Sequence, residues 1–194
     1  MFGHSMEGAA TRQRLPTERN EVVPNYTDPD ELFDVVNERD EVIGQLARKE
    51  VHRRGLRHRA VHVLIFNSKG EVFLQKRSAK KDTFPLRWDS SAAGHLNPGE
   101  EYDACAPREV EEELGFSLPS KPERILRIEA CEETSQEFVW VYRCAAEGPF
   151  NLNPEEIETG AWFSPERVTR WIREKPEEFA PSLVCIWRLL CAGR

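Results

Sequence analysis

The chain has 194 residues, of which 39% are hydrophobic, enough for one well-buried core; its net charge of −7 argues against a nucleic-acid polymer as partner. No apolar run approaches the ~18 residues of a membrane span, and residues 1–20 mix both charges with no apolar signal core. Cys105, Cys131, Cys144, Cys185 and Cys191 are odd in number and lack C-x-x-C spacing, which points to reduced thiols in a cytoplasmic protein.

In chain order, residues 1–30 are polar, carry Pro16, Pro24 and Pro29, and read as a flexible tail before a single domain over 31–194. Phe33–Asn37 and Glu41–Gln45 flank Glu38-Arg39-Asp40 as a hairpin, a candidate homodimer edge. Arg48–Arg54 predicts a short helix ended by Gly55. Ala60–Phe66 is a buried strand, Asn67–Gly70 a turn, and Glu71–Arg77 the strand that pairs back. Residues 78–88 form a lysine-rich loop ending at Trp88. Arg124–Cys131 and Glu137–Cys144 are further strands, the second marked by alternating aromatic and β-branched residues. Glu147–Pro154 connects to a short strand ending at Phe163. Ser164 and Pro165 open a helix, and Pro181–Leu190 forms a terminal one. This order fits an α/β fold with a mixed sheet between helices.

The densest chemistry lies between the second and third of these strand groups. Gly94 is followed after five residues by Glu100, and after seven more by Arg108-Glu109-Val110-Glu111-Glu112-Glu113-Leu114-Gly115-Phe116. Pro98-Gly99 makes a turn, and Gly115 suits a left-handed helix cap. Glu109, Glu112 and Glu113 are spaced by three and four, so they share a helical face, with Val110 and Leu114 on another. Three carboxylates on one face repel, and hard oxygen ligands suit Mg²⁺ or Mn²⁺, which removes that penalty. Pro107 predicts a helix that begins late, near Cys105 or Ala106, or one that is kinked.

This pattern resembles the Nudix box at every defined position. The resemblance implies a Nudix α/β/α sandwich with a mixed β-sheet. It also implies metal-dependent hydrolysis of a diphosphate linkage, in a nucleoside-diphosphate-X or similar small molecule, by water attack at phosphorus. By resemblance, Glu109, Glu112 and Glu113 are the metal ligands, Arg108 and Glu100 brace them, and the Ala93 backbone carbonyl supplies another ligand. Which glutamate activates water is left open.

The stretches His58–Ser78 and Trp88–His95 are similar to the type 1 isopentenyl-diphosphate isomerase branch of the same superfamily. That branch needs a cysteine where this chain has Ala93, which lacks a proton to give. His52, His58, His95 and Glu137 align with its histidine-rich metal site, and Ser135 stands where a second glutamate would be. His62 and His4 match nothing. With its box intact, the chain most resembles the isomerase-like bacterial Nudix hydrolases. Arg77 and Lys81 are the best candidates to grip phosphate. Trp88, Trp140 and Tyr142 are candidate base-stacking rings that read more readily as core. The competing readings are an isomerase relative, opposed by Ala93, and a non-catalytic diphosphate sensor, opposed by the three glutamates kept together.

Overall fold

A computed structural model describes residues 31–193. The tail expected over residues 1–30 lies outside them. Strand β1 (Leu32–Val36) pairs antiparallel with β2 (Val42–Ala47), and Asp40 takes a left-handed conformation (φ 64°) in the connecting turn. Phe33, Val35 and Val51 bury together, whereas Ile43 on the outer strand is 65% exposed. The edge proposed for a second copy is therefore solvent-facing. Helix α1 (Arg48–Arg54) follows and ends, as expected, on left-handed Gly55.

The main sheet has seven strands: β3 (His58–Phe66), β4 (Val72–Arg77), β5 (Trp88–Asp89), β6 (Ala92–His95), β7 (Glu123–Ile128), β8 (Glu137–Ala145) and β9 (Ile157–Phe163). β3 runs parallel to β8, and the other pairings are antiparallel. The apolar run of β3 is explained by burial on both faces. Val61, Val63 and Ile65 pack with Cys105, Ala106, Val110 and Leu114 of helix α2 (Tyr102–Leu114). Ala60 and Leu64 pack on the opposite face with Val168 and Ile172 of α3 (Pro165–Glu174) and Leu183 and Ile186 of α4 (Pro181–Ala192). Each fully buried Leu or Ile contributes roughly 1.5–3 kcal/mol, so both helical layers are firmly held. The result is the expected α/β/α sandwich with a mixed sheet. Among the described residues no helix is long and apolar enough to cross a membrane, and the five cysteines are free thiols.

One irregularity of the sheet positions everything functional. On the side of β3 away from β8, Ala60–Val63 pair with β6, and only Ile65 and Phe66 reach β4. β4 turns instead to β9 and β5. The sheet thus parts between β6 and β4.

The lysine-rich loop ends at Trp88 as expected, and the short strands Trp88–Asp89 and Ala92–His95 that follow it were not expected. Ala-Ala-Gly-His carries little strand propensity, so its pattern is silent. Helix α2 does not begin late: it starts at Tyr102 and runs through Pro107, its sixth residue. Proline there removes one bond to the Asp103 carbonyl. Burial of Cys105, Ala106, Val110 and Leu114 carries the helix past that loss.

Candidate active site

Arg108 organises the box. Its Nε donates to Glu100 Oε1 at 2.8 Å and its Nη2 to Glu100 Oε2 at 2.7 Å. Its Nη1 donates to Glu109 Oε1 at 2.8 Å and to Glu112 Oε2 at 2.7 Å. Nη2 also reaches the His95 carbonyl at 3.0 Å, tying the helix to β6. A planar guanidinium with five donors can bridge three carboxylates in this way, and a lysine could not. Against the cost of its own burial, these carboxylates hold Arg108 above its ordinary pKa.

Glu109 and Glu113 reach the parting of the sheet, only 2% and 4% exposed. Glu113 Oε2 accepts from Gln75 Nε2 of β4 at 2.8 Å and from the Ala93 amide of β6 at 3.0 Å, so it spans the gap. Glu109 lies over Gly94, where any Cβ would overlap its carboxylate; this is the physical reason for glycine at the head of the box. Burial pushes the Glu109 carboxyl up to about 8, with Glu112 adding to the rise and Arg108 opposing it. Burial, and next the adjacent Glu109, push Glu113 well above the usual carboxylate range. Lys81 is nearby but committed to buried Glu156. Two buried carboxyls short of positive charge form a donor set that fits a hard divalent cation.

A second cluster forms from four separate elements. One ligand atom each from His52 of α1, His58 of β3 and His95 of β6 lie within 4.8 Å of one another. Glu137 at the start of β8 closes the group, with Oε1 3.0 Å from His95 Nε2 and 3.6 Å from His58 Nε2. His58 Nδ1 lies 2.9 Å from the Leu56 carbonyl, so that nitrogen carries the proton and Nε2 keeps its lone pair. His52 Nε2 and His58 Nε2 are buried with no hydrogen-bond partner. Burial lowers His52 to about 4, helped by Arg48, and lowers His95 to about 3. His52 and His58 each present a bare ring nitrogen, which fits a divalent cation, whereas His95 would join them by exchanging its Arg48 or Glu137 contact. Phe33 packs on all three rings, with centroids 4.5–5.8 Å away.

Both clusters face one cavity of about 360 Å³. Seven carboxylates line it, against three side chains of permanent positive charge: Arg48, Arg77 and Lys81. Each of these cations is already engaged. Arg48 Nη2 donates to Asp82 at 3.1 Å and Nη1 to His95 Nδ1 at 3.2 Å. Arg77 Nη1 donates to Asp89 at 3.1 Å.

The structure gathers most of the residues singled out from the sequence. Glu109, Glu113, Ala93, His52, His95, Glu137, Arg77 and Lys81 line the cavity, whereas Glu112 does not and is held by Arg108 instead. Trp88, Trp140 and Tyr142 lie outside the lining: Tyr142 is buried with its hydroxyl on Asp103, Arg124 stacks on Trp140, and Trp88 packs on Phe163. Among the described lining residues Phe84 is the one Phe, Tyr or Trp. Sequence reasoning missed Arg48, Gln75 and Glu156. Arg48 lies one helical turn before His52, and Gln75 interrupts the apolar run of β4; both were available signals.

A family model described as "NUDIX domain" matches residues 56–183. An uncharacterized Nudix hydrolase of Yersinia pestis is 35% identical over 152 residues, covering 78% of this chain and 80% of the relative. One from Streptomyces coelicolor is 36% identical over 174 residues, covering 85% and 91%. Among solved structures, the crystal structure of DR0079 from Deinococcus radiodurans superposes with a TM-score of 0.73 at 31% identity, covering 81% of this chain and 98% of that one.

Proposed function

The chain belongs to the Nudix family, and from that premise we propose that it hydrolyses a diphosphate joined to a second organic group, with Mg²⁺ or Mn²⁺ as cofactor. The supporting observation is the pair of buried carboxyls, Glu109 and Glu113, set in a cavity with more acid than base and braced through Arg108. Glu109 and Glu113 would hold the cation with the Ala93 carbonyl, and Glu112 would join them by exchanging its bond from Arg108. When bound, it lowers the pKa of a water and offsets charge on the diphosphate. Arg108 and Glu100 keep the carboxylates aimed. Gln75 and the Ala93 amide fix Glu113. Arg77 and Lys81 would be available to phosphate oxygens only by exchanging their present carboxylate partners.

The gathering of His52, His58, His95 and Glu137 supports placing the chain in the isomerase-like branch, with a second cation held there. Imidazole donors favour a transition metal such as Mn²⁺ or Zn²⁺ over Mg²⁺. The same cluster favours a second reading, an isopentenyl-diphosphate isomerase relative. Ala93 opposes it, since a methyl group transfers no proton.

A panel of nucleoside diphosphates linked to sugars, nucleosides or cofactors, assayed with Mg²⁺ and Mn²⁺, tests the hydrolase reading. Glu113→Gln should cut turnover by about 10³-fold or more with the fold intact. Conversion of isopentenyl diphosphate to its dimethylallyl isomer would transfer the assignment to the second reading.

A further inference from the structure

His62 lines the cavity but has no task in the reading above. It lies on β3 directly opposite Ala93 of β6 and is 4% exposed. Its Nδ1 is 2.8 Å from Ser90 Oγ and 3.8 Å from Asp89 Oδ1. Asp89 is itself fixed: Oδ2 accepts from Arg77 Nη1 at 3.1 Å, and Oδ1 from the Ser90 amide at 2.8 Å. A carboxylate can only accept, so its field favours the proton on Nδ1 and leaves a lone pair on Nε2. Among the described residues Nε2 has no hydrogen-bond partner, and it is not one of the nitrogens sealed inside protein. As His62 lines the cavity, we take this nitrogen to open into it. The arrangement is not a Ser–His–Asp relay, in which serine and aspartate occupy opposite ring nitrogens. Here both face Nδ1, and the other nitrogen is left for a ligand.

We propose that His62 Nε2 accepts a hydrogen bond from a hydroxyl or amino group on the organic half of the substrate. His62 thereby selects sugar- or nucleoside-bearing diphosphates over hydrocarbon ones. The proposal rests on the diphosphate reading for the identity of the ligand. A hydrocarbon chain beside Nε2 strips it of water and offers nothing in return, whereas a hydroxyl completes it. Ser90 and Asp89 are positioning residues that set the ring's tautomer.

The test combines nitrogen NMR with kinetics. Histidine is labelled with ¹⁵N, and His62 is assigned by the signal missing in His62→Phe. At pH 8 the free protein should show a protonated Nδ1 and a bare Nε2, a preference weakened in Ser90→Ala. Adding α,β-methylene-ADP with Mg²⁺ should move Nε2 upfield as it accepts a bond, and methylene-bridged geranyl diphosphate should give no upfield move. His62→Phe should lower kcat/KM for ADP-ribose by about 10- to 100-fold, chiefly through KM, and raise it for geranyl diphosphate, because the lone pair that a hydrocarbon would desolvate is gone. A protonated Nε2 in the free protein overturns the proposal. So does an Nε2 signal that stays still with α,β-methylene-ADP, UDP-glucose and ADP-ribose in turn, even where hydrolysis is confirmed. If Nε2 moves on binding but no diphosphate is cleaved, the hydrolase reading fails and the His62 contact stands. Should His62→Phe not fold, assignment passes to His62→Gln and the Ser90→Ala tautomer shift decides.

Discussion

Replacing Glu109 with Gln should make the cation-free protein more stable above neutral pH while weakening its response to metal. Burial raises the Glu109 carboxyl from an ordinary 4.5 to about 8. A carboxyl whose folded pKa is raised supports the fold below the unfolded value and loses that support as pH climbs to the folded one. The window is therefore about pH 4.5 to 8. Across it the unfolded chain releases a proton that the folded chain retains, and stability falls by ~1.4 kcal/mol per pH unit. The whole interval amounts to at most ~5 kcal/mol. Glu109→Gln has no proton to lose, so its stability should fall less steeply by about one proton's worth. Urea unfolding at pH 5, 6, 7 and 8 in EDTA measures both slopes; the difference cancels groups remote from the site, while Glu113, which Glu109 helps to raise, adds to the flattening in the variant. With Mn²⁺ the wild-type slope should flatten, because a cation favours the ionised carboxylate, and the variant should respond far less. Equal slopes for the two proteins in EDTA would show that Glu109 is not the strained group described above.

Three further outcomes follow from the geometry. Gly94→Ala places a Cβ on the Glu109 carboxylate, which Arg108 prevents from moving aside; stability should fall by about 1–3 kcal/mol and turnover by roughly 100-fold, and unchanged values in melts and assays would exclude the close approach. His58→Ala should remove one equivalent of bound Mn²⁺ or Zn²⁺ per chain, read by elemental analysis, while Glu113→Gln keeps it; identical metal content in both would dissolve the second site. Leu86 holds a left-handed φ of 59° while 48% exposed. Leu86→Gly should raise stability by ~0.5–1 kcal/mol, the left-handed strain less the extra chain entropy of glycine, and a lower melting temperature would refute this.

The box was legible because its constraints are local. Steps of three and four on one helix fix Glu109 and Glu113 relative to each other, whatever the rest of the chain does. The same locality does not say where each carboxylate ends. Glu112 shares the helical face, and its side chain pairs with Arg108 outside the cavity lining. The histidine cluster was legible only through resemblance, because His52, His58, His95 and Glu137 come from α1, β3, β6 and β8. No spacing rule brings four elements together. Glu156 had no signal, since its position depends on how a loop returns to Lys81. The early start of α2 went unseen because a local rule about proline was set against burial that only the tertiary structure supplies.

The parting of the sheet ties these features together. Had β4 continued along β3, its strand would occupy the space through which Glu113 reaches from the α2 layer to Gln75. Because β6 takes that place for four residues, carboxylates from one helical layer enter a cavity bordered by the other layer at Ala180 and Ser182. β6 also carries His95 on the same strand as Gly94, so the two cation-fitting clusters are joined by a single peptide step and by the Arg108 bond to the His95 carbonyl. A cavity with seven carboxylates and three engaged cations cannot attract a diphosphate by itself. On the diphosphate reading proposed above, substrate binding would depend on cations recruited first. In that order of events the lone pair of His62 is left to meet whatever the diphosphate brings with it.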